Sequence, residues 1–415
     1  MRNVYVLISL LMLGCSSAQP LIPVQGDWPN YRGAGHDNFT PAQGIEVSLK
    51  DAEDRVVWRK DIGLGYSVVA TANGHAYTAG WRDGRTSLIC FDPDTGENIW
   101  TFEYEIEQYD VRPEWPKSNE GGPVTTPAIA DGRVYHSTRD GRLFCLDARS
   151  GELDWQHELT EVFGVDEPRW GYAASPLVMD GVIYLDVGRV VALRATDGEV
   201  LWATQESYDP SYATVTPFTF NGKHYLAAWP LDGLVIVERE AGGVVAHHPW
   251  QSNQPCHAAS PVVFDNDKVF ISSGFNSGGA VLRFTGDALD LVWEHKDMCN
   301  TMATSLYHQG HLYGFDHQVL RCVNAQTGEV KWSMRGLGKG SLTAVGDHMV
   351  ILAENGLLLS AKMDPDQAPL MASAQSSVKL IDETAKIWSA PVIAQRRLYA
   401  RGPLGSLVCL DLSKQ

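Results

Sequence analysis

The sequence predicts an all-β protein: an eight-bladed β-propeller of four-stranded antiparallel blades, closed by N- and C-terminal strands that share one blade. Three observations carry this expectation. A short phrase recurs eight times along the 415 residues, a second hairpin signal precedes most copies, and the two chain ends hold complementary fragments of one unit.

The phrase is clearest at residues 87–100 (SLICFDPDTGENIW), 142–155 (RLFCLDARSGELDW), 190–202 (VVALRATDGEVLW) and 320–332 (LRCVNAQTGEVKW). Degenerate copies cover 235–246, 281–293 and 359–370, and a last one starts at Ser406 and is cut short at Gln415. Each begins as a short apolar strand. A turn follows, in which an Asp carboxylate bonds backbone N–H groups and Gly takes a positive φ. The returning strand ends on Trp, a large apolar anchor with one N–H to satisfy. Upstream lies a second hairpin, around Asp131-Gly132, Asp180-Gly181 or Asn221-Gly222, with variants near residues 261–270 and 306–313. Asp-Gly and Asn-Gly between apolar alternations are strong hairpin signals.

Two hairpins make a four-stranded sheet. The turn-start positions Asp92, Asp147, Arg194, Glu238, Thr285, Asn324, Lys362 and Asp411 are spaced by 38 to 55 residues, the period of propeller blades. The copy at Asp411 lacks its Trp strand, while residues 56–62 (VVWRKDI) are a Trp strand with no phrase before it. Pairing them closes the ring and leaves no long open edge; the alternative is an open stack of repeats.

Composition bounds the rest. Net charge is −17, and there is no Lys/Arg-rich stripe, so a nucleic-acid partner is not expected. Residues 4–13 are an apolar run too short to span a bilayer. They end at Leu13-Gly14-Cys15-Ser16-Ser17, which resembles a bacterial lipobox, with Met12 as a departure. The resemblance implies export, lipidation of Cys15, and membrane attachment through more than one acyl chain. Ser16 favours the outer membrane under a sorting rule known for some Gram-negative bacteria, with a residence in the periplasm. An ordinary cleaved signal is the alternative. The expected division is a signal peptide at 1–14, a lipidated tether and wrap at 15–54, and the propeller at 55–415.

The D-x-x-[TS]-G-E-x-x-W phrase resembles the pyrroloquinoline-quinone-type repeat. In that family the Trp packs between neighbouring blades, which implies a docking role for Trp58, Trp100, Trp155, Trp202, Trp293 and Trp332. Ala246 and Leu370 depart from the pattern, so those two junctions are expected to be looser. The resemblance leads to two branches. Quinoprotein alcohol and sugar dehydrogenases bind the quinone and Ca²⁺ at the ring centre; the propeller lipoprotein of the outer-membrane β-barrel assembly machinery binds partner proteins. The opening Asp27-Trp28-Pro29-Asn30-Tyr31-Arg32-Gly33 and the loop ending Gly121-Gly122-Pro123-Val124-Thr125-Thr126-Pro127 are similar to those of a set of bacterial propellers.

By register, the loops leading into the innermost strands place Tyr66, Thr125, Tyr172, Tyr212, His257, Asn300, Ser341 and Trp388 at the channel mouth, with Arg169 and Trp170 beside Tyr172. This ring is polar and aromatic, suited to a small ligand or a peptide segment; alternatively it only fills the channel. The insertion at 103–122, with Tyr104, Tyr109, Arg112 and Trp115, is either a binding surface or a strut. Cys90, Cys145, Cys322 and Cys409 share one buried strand position and read as small apolar filler. Cys256 and Cys299 precede inner strands of consecutive blades, and export allows a disulfide between them, with two free thiols as the alternative. No metal site and no catalytic residue is expected: there is no HExxH, GxSxG, Walker-type loop or dinucleotide fingerprint, and no Cys-Cys pair of the kind many quinoproteins carry.

The resulting expectation is a non-catalytic envelope scaffold that binds a protein partner or a small ligand without a cofactor. The alternative is a small oxidoreductase with pyrroloquinoline quinone at the channel mouth.

Overall fold

In the computed structural model, residues 25–106, 122–369 and 377–413 are described. They form eight four-stranded antiparallel sheets. Blade 1 comprises Ala70–Ala72, His75–Arg82, Arg85–Phe91 and Asn98–Glu105. Blade 2 comprises Ala128–Ala130, Arg133–Ser137, Arg142–Asp147 and Leu153–Glu158; blade 3 Leu177–Met179, Val182–Asp186, Val190–Arg194 and Val200–Ala203. Blade 4 is Thr216–Phe220, Lys223–Ala228, Gly233–Glu238 and Val244–Pro249; blade 5 Val262–Phe264, Lys268–Ser273, Gly278–Phe284 and Leu289–His295. Blade 6 is Leu306–His308, His311–Asp316, Val319–Asn324 and Val330–Met334; blade 7 Ser341–Val345, His348–Leu352, Leu357–Lys362 and Ser377–Lys379. Blade 8 takes Val392–Ala394, Arg397–Arg401 and Ser406–Asp411 from the end of the chain and Val56–Asp61 from its beginning. Trp58 stands opposite Cys409, and Asp61 opposite Ser406. The ring closes as the sequence predicts.

The phrase earns its conservation of shape from a contact between blades. Its Gly lies at φ 74° in blades 1, 2, 3 and 4 and passes directly beneath the indole of the preceding blade: Gly96 under Trp58, Gly151 under Trp100, Gly198 under Trp155, Gly242 under Trp202. A side chain there would collide with the ring. The indole N–H then reaches the same turn. Trp58 donates to Pro93 O (3.0 Å), Trp100 to Ala148 O (3.0 Å), Trp293 to Ala325 O (2.9 Å) and Trp332 to Asp364 O (2.8 Å). A Tyr of the second strand reaches the same kind of turn: Tyr77 shares Ala148 O with Trp100 (3.2 Å), and Tyr135 donates to Ala195 O (3.1 Å). Trp155 is docked but its Nε1 has no partner.

The two junctions without Trp are filled rather than loose. Beside Ala246 in blade 4, Phe218, Phe220 and Tyr225 close around Phe284 of blade 5, with centroids 4.9–5.7 Å apart. Between blades 7 and 8, aliphatics including Leu352, Leu358, Ile393 and Leu410 form one cluster with Ile45 and Leu49 of the N-terminal segment. The expectation of looser packing neglected that a different set of side chains can take the indole's volume.

The seam between blades 8 and 1 has its own lock. Arg401 is 1% exposed and donates to Ser67 O (2.6 Å), Ala79 O (2.6 Å), Thr78 Oγ1 (3.2 Å) and Gly63 O (3.2 Å). Arg397 pairs with Asp94 of blade 1 (2.8 Å) and Asp411 of its own blade (2.9 Å).

The N-terminal segment enters one end of the channel. Gly26 O accepts from Gln395 N (3.0 Å), Trp28 pairs with Thr71, and Pro29 O accepts from Ile129 N (2.8 Å). Arg32, 4% exposed, donates to Thr216 Oγ1 (3.2 Å) and Pro261 O (3.1 Å). Asn38 and Thr40 pair with Ala344. This one stretch therefore touches inner strands or their flanks in blades 8, 1, 2, 4, 5 and 7. The signal peptide, Cys15, Leu370, and Tyr109, Arg112 and Trp115 of the insertion lie outside the described residues.

Two stability predictions arise here. Gly151 and Gly132 have nearly the same φ (74° and 76°), but a Cβ at Gly151 would lie 2.6 Å from the Trp100 ring, whereas at Gly132 nothing stands within 4 Å. Gly132→Ala should cost roughly 1 kcal/mol through backbone strain. Gly151→Ala should cost about 2–3 kcal/mol more, since the indole must move. Equal denaturant midpoints for the two variants would show that indole docking contributes little.

Asp186, 2% exposed, accepts from Gly188 N at one oxygen (3.1 Å) while the other has no partner. Burial, with Asp232 nearby, pushes its pKa up to about 7. The folded state therefore holds this proton between roughly pH 4 and 7 where the unfolded chain has lost it, so stability falls as pH rises across that window. Asp186→Asn should flatten the decline. Melting curves from pH 4 to 8 with the same slope in both proteins would refute this.

Candidate functional site: the channel mouth

In an antiparallel blade, the segments leading into the first strand and the turns between second and third strands lie at the same end of the ring. Their backbone is held by a girdle of hydroxyls. Val68 N donates to Thr126 Oγ1 (3.2 Å), Thr126 N to Ser175 Oγ (2.9 Å), Ser175 N to Thr214 Oγ1 (3.0 Å), Thr214 N to Ser260 Oγ (3.2 Å) and Ser260 N to Thr304 Oγ1 (3.0 Å). The arc covers blades 1 to 6, each N–H bonding the hydroxyl of the next blade. Ser389 Oγ donates to Tyr66 O (3.2 Å) across the seam. Several of these hydroxyls stand just before a Pro that opens an inner strand, as in Thr126-Pro127, Ser175-Pro176 and Ser260-Pro261. That repeated hydroxyl-proline pair is the girdle's signal in the sequence.

Above the girdle lies a cavity of about 270 Å³ to which all eight blades contribute. Tyr66, Trp170, Tyr212, Ser341 and Trp388 line it, as the register predicts. Tyr66 stacks on Trp388 (centroids 5.6 Å, 16°), and Trp170 packs on Tyr212 (5.5 Å, 56°). The other five expected residues do not line it. Thr125 is buried and bonds to Ser137 O. Tyr172 is buried, with its hydroxyl on Asp166 O (3.0 Å). His257 is stacked on Trp229 (4.2 Å, 14°), its Nδ1 donating to Pro230 O (2.9 Å), and burial lowers its pKa to about 4. Asn300 donates to Phe315 O (3.0 Å) and accepts from Ser305 (2.9 Å). Arg169 is exposed, lying over the Trp170 ring at 4.7 Å.

Other residues complete the wall. Val124, Ala173, Cys256, Ala258 and Met302 come from the lead-in segments. Arg139 and Phe275 come from second-to-third-strand turns of blades 2 and 5, and Tyr31 and Asn38 from the N-terminal segment, which floors the cavity. Arg139 donates to Trp170 O (2.8 Å) and Gly122 O (3.3 Å). Burial lowers its pKa to about 10, so it stays charged at neutral pH. Phe275 and Asn276 sit at φ 58° and 60°, a conformation that is costly for a bulky residue such as Phe. Lys339 lies over the Trp388 ring at 6.0 Å. No carboxylate is among the described residues lining the cavity. Glu354, behind Trp388, accepts from its Nε1 (3.1 Å) and pairs with Lys386 (3.7 Å).

Cys256 and Cys299 are separate, buried, free thiols, so of the two alternatives the structure has the unbridged one. Cys299, Asp316 and His317 bring three potential metal-ligating atoms within 4.8 Å of one another. Their bonds, however, are already made within the protein: Asp316 pairs with Arg321 (2.8 Å) and accepts from Cys299 N (3.1 Å), and His317 Nε2 accepts from Asn276 N (3.3 Å). Burial and Asp316 raise the Cys299 thiol to about 11, which favours the protonated form.

Comparison with known proteins gives this ring its relatives. Residues 43–108 and 107–334 match the family model described as outer membrane protein assembly factor BamB. The protein of that name from Yersinia pestis is 27% identical over 254 residues, which cover 59% of this chain and 57% of that protein. The solved structure of BamB from Moraxella catarrhalis superposes with a TM-score of 0.61 at 16% identity, covering 87% of this chain and 98% of that one. A quinohemoprotein alcohol dehydrogenase structure from Comamonas testosteroni reaches 0.63 at 12% identity, covering 94% and 81%. At those identities the structures speak for the fold alone, and the sequence match spans little more than half of the Yersinia protein. With the matched segments extending over more than half of its length, the chain belongs to the family of the outer membrane protein assembly factor BamB.

Proposed function

We propose that this protein is a non-catalytic binding scaffold of the bacterial envelope, held to the outer membrane through Cys15 and engaging an envelope protein with its channel mouth. The observation that carries this reading is the composition of the mouth. Among the described residues that line it, aromatic side chains converge with the guanidinium of Arg139, and none is a carboxylate or imidazole in position to act as acid or base. The titratable groups the wall does offer besides the guanidinium, tyrosines and the Cys256 thiol, are pushed up by burial, Tyr66 and Tyr212 to about 12 and Cys256 to about 11, so they stay protonated at neutral pH. Aromatic anchors in a concave, largely desolvated site are the usual centre of a protein interface. The Yersinia relative, named as an assembly factor, agrees with a protein partner. Exposed aliphatics on outer strands, among them Ile99, Leu201 and Leu291, offer further apolar contacts on the outer edge of the ring.

The residues present do not fit a Ca²⁺-bound quinone. That arrangement needs carboxylate and amide oxygens around the ion, and the cavity wall supplies Asn38 without a carboxylate.

Capture of the full-length protein from cross-linked cells should retain envelope proteins, and Trp170→Ala or Tyr212→Ala should reduce that capture at least several-fold without shifting the melting temperature by more than a few degrees. Unchanged capture by both variants would remove the mouth as the docking surface. Incubation with pyrroloquinoline quinone and Ca²⁺ should give no dye-linked oxidation; activity would overturn the scaffold reading. Cys15→Ala should move the protein from the membrane fraction to the soluble periplasm, and unaltered membrane retention would refute the anchor.

A further inference from the structure

We infer that the mouth cavity is a binding pocket for a small organic anion built on one or two aromatic rings. This rests on the reading of the channel as a binding site and names the chemistry of its occupant.

Size limits the occupant first. About 270 Å³ lies at the lower end of the range of small-molecule sites, about 300–1,000 Å³. The far end of the channel is closed by the N-terminal segment, whose Tyr31 and Asn38 form the floor. A polymer cannot thread such a cavity; a one- or two-ring molecule, or a single side chain of that form, can enter it.

Shape and polarity come next. Two aromatic pairs face the space, Tyr66 with Trp388 and Trp170 with Tyr212, and Val68, Val124, Ala173 and Met302 add apolar surface. Flat rings stack on such walls. Phe275 is the first central residue of the tight turn closed by Ser277 N on Gly274 O (3.2 Å), whose two central residues both take a positive φ, and it adds one more aromatic side chain to the cavity lining.

Sign of charge decides between two ligand classes. Aromatic boxes also bind cations. Here three cations are already in or beside the wall: Arg139 lines the cavity, Lys339 lies over the Trp388 ring and Arg169 over the Trp170 ring. Arg401 and Arg32 are buried further back and bond to carbonyl and hydroxyl oxygens. Two acids stand behind the wall, Glu354 bonded to Trp388 and paired with Lys386, and Glu383 accepting from the backbone N–H groups of Leu404 (2.8 Å) and Ser406 (2.9 Å); they offset part of the positive charge, and neither lines the cavity. In a water-poor cavity these charges act strongly. The cations oppose a further one and attract a carboxylate or phenolate, although the protein as a whole is strongly acidic.

Three probes with one ring system and different charge test this: indole-3-acetate, indole-3-ethanol and tryptamine, titrated calorimetrically into the intact protein. Indole-3-acetate should bind at least ten-fold more tightly than indole-3-ethanol, and tryptamine should give no measurable heat. Arg139→Gln should remove the preference for the anion, and Lys339→Gln, on a separate element, should reduce it, so the result does not depend on one variant folding. Equal binding of all three, preference for tryptamine, or no binding of indole-3-acetate up to millimolar concentration would overturn the proposal. Partner capture measured on the same protein reports separately on the scaffold reading, which survives if the probes fail and capture remains sensitive to Trp170→Ala.

Discussion

Everything at the centre of this molecule depends on the pairing of Val56–Asp61 with Ser406–Asp411. Seven sheets could stack without it, but their inner strands would not be held to a common circle. Once the first and last segments share blade 8, six of the eight junctions are held by one repeated contact. An indole from one blade covers the glycine turn of the next, and the seam is no exception, since Trp58 covers Gly96. Arg401 adds four hydrogen bonds across that seam. A buried guanidinium is costly to desolvate, and it is tolerated there because carbonyl and hydroxyl oxygens of blade 1 surround it.

This explains why the fold was legible in the sequence. A glycine that must both adopt positive φ and lie under a ring cannot drift, and neither can the Trp that covers it. The blade count, the shared terminal blade and the docking tryptophans followed from that constraint. The junctions lacking Trp were misjudged because the compensating residues, Phe220 and Phe284 at one and Ile45 and Leu49 at the other, are remote in sequence from the missing position.

The cavity wall was half legible, and the misses at blades 2 and 5 share one cause. The lead-in segments are extended, so side chains alternate with a period of two. Tyr66 and Val68 face the cavity, as do Tyr212 and Thr214, and Cys256 and Ala258. Placing the blade 5 position on His257 instead of Cys256, or the blade 2 position on Thr125 instead of Val124, turns the residue to the other face. Arg139, Phe275 and Tyr31 could not be found this way at all. They reach the mouth from turns and from the N-terminal segment, which the repeat does not describe.

The same ring supports different chemistries according to what its centre carries. Likeness of backbone to a quinohemoprotein dehydrogenase and to an assembly factor is nearly equal here, so the fold cannot choose between them. The distribution of charge can be read instead. The surface carries the excess of acids, while Arg32, Arg139 and Arg401 are buried around the channel. Burial lowers them to about 10, 10 and 9, leaving all three protonated at neutral pH. A centre built to hold a divalent cation would require carboxylates in the positions these guanidiniums and aromatic rings occupy. Converting one arrangement to the other would take several simultaneous exchanges in a packed wall.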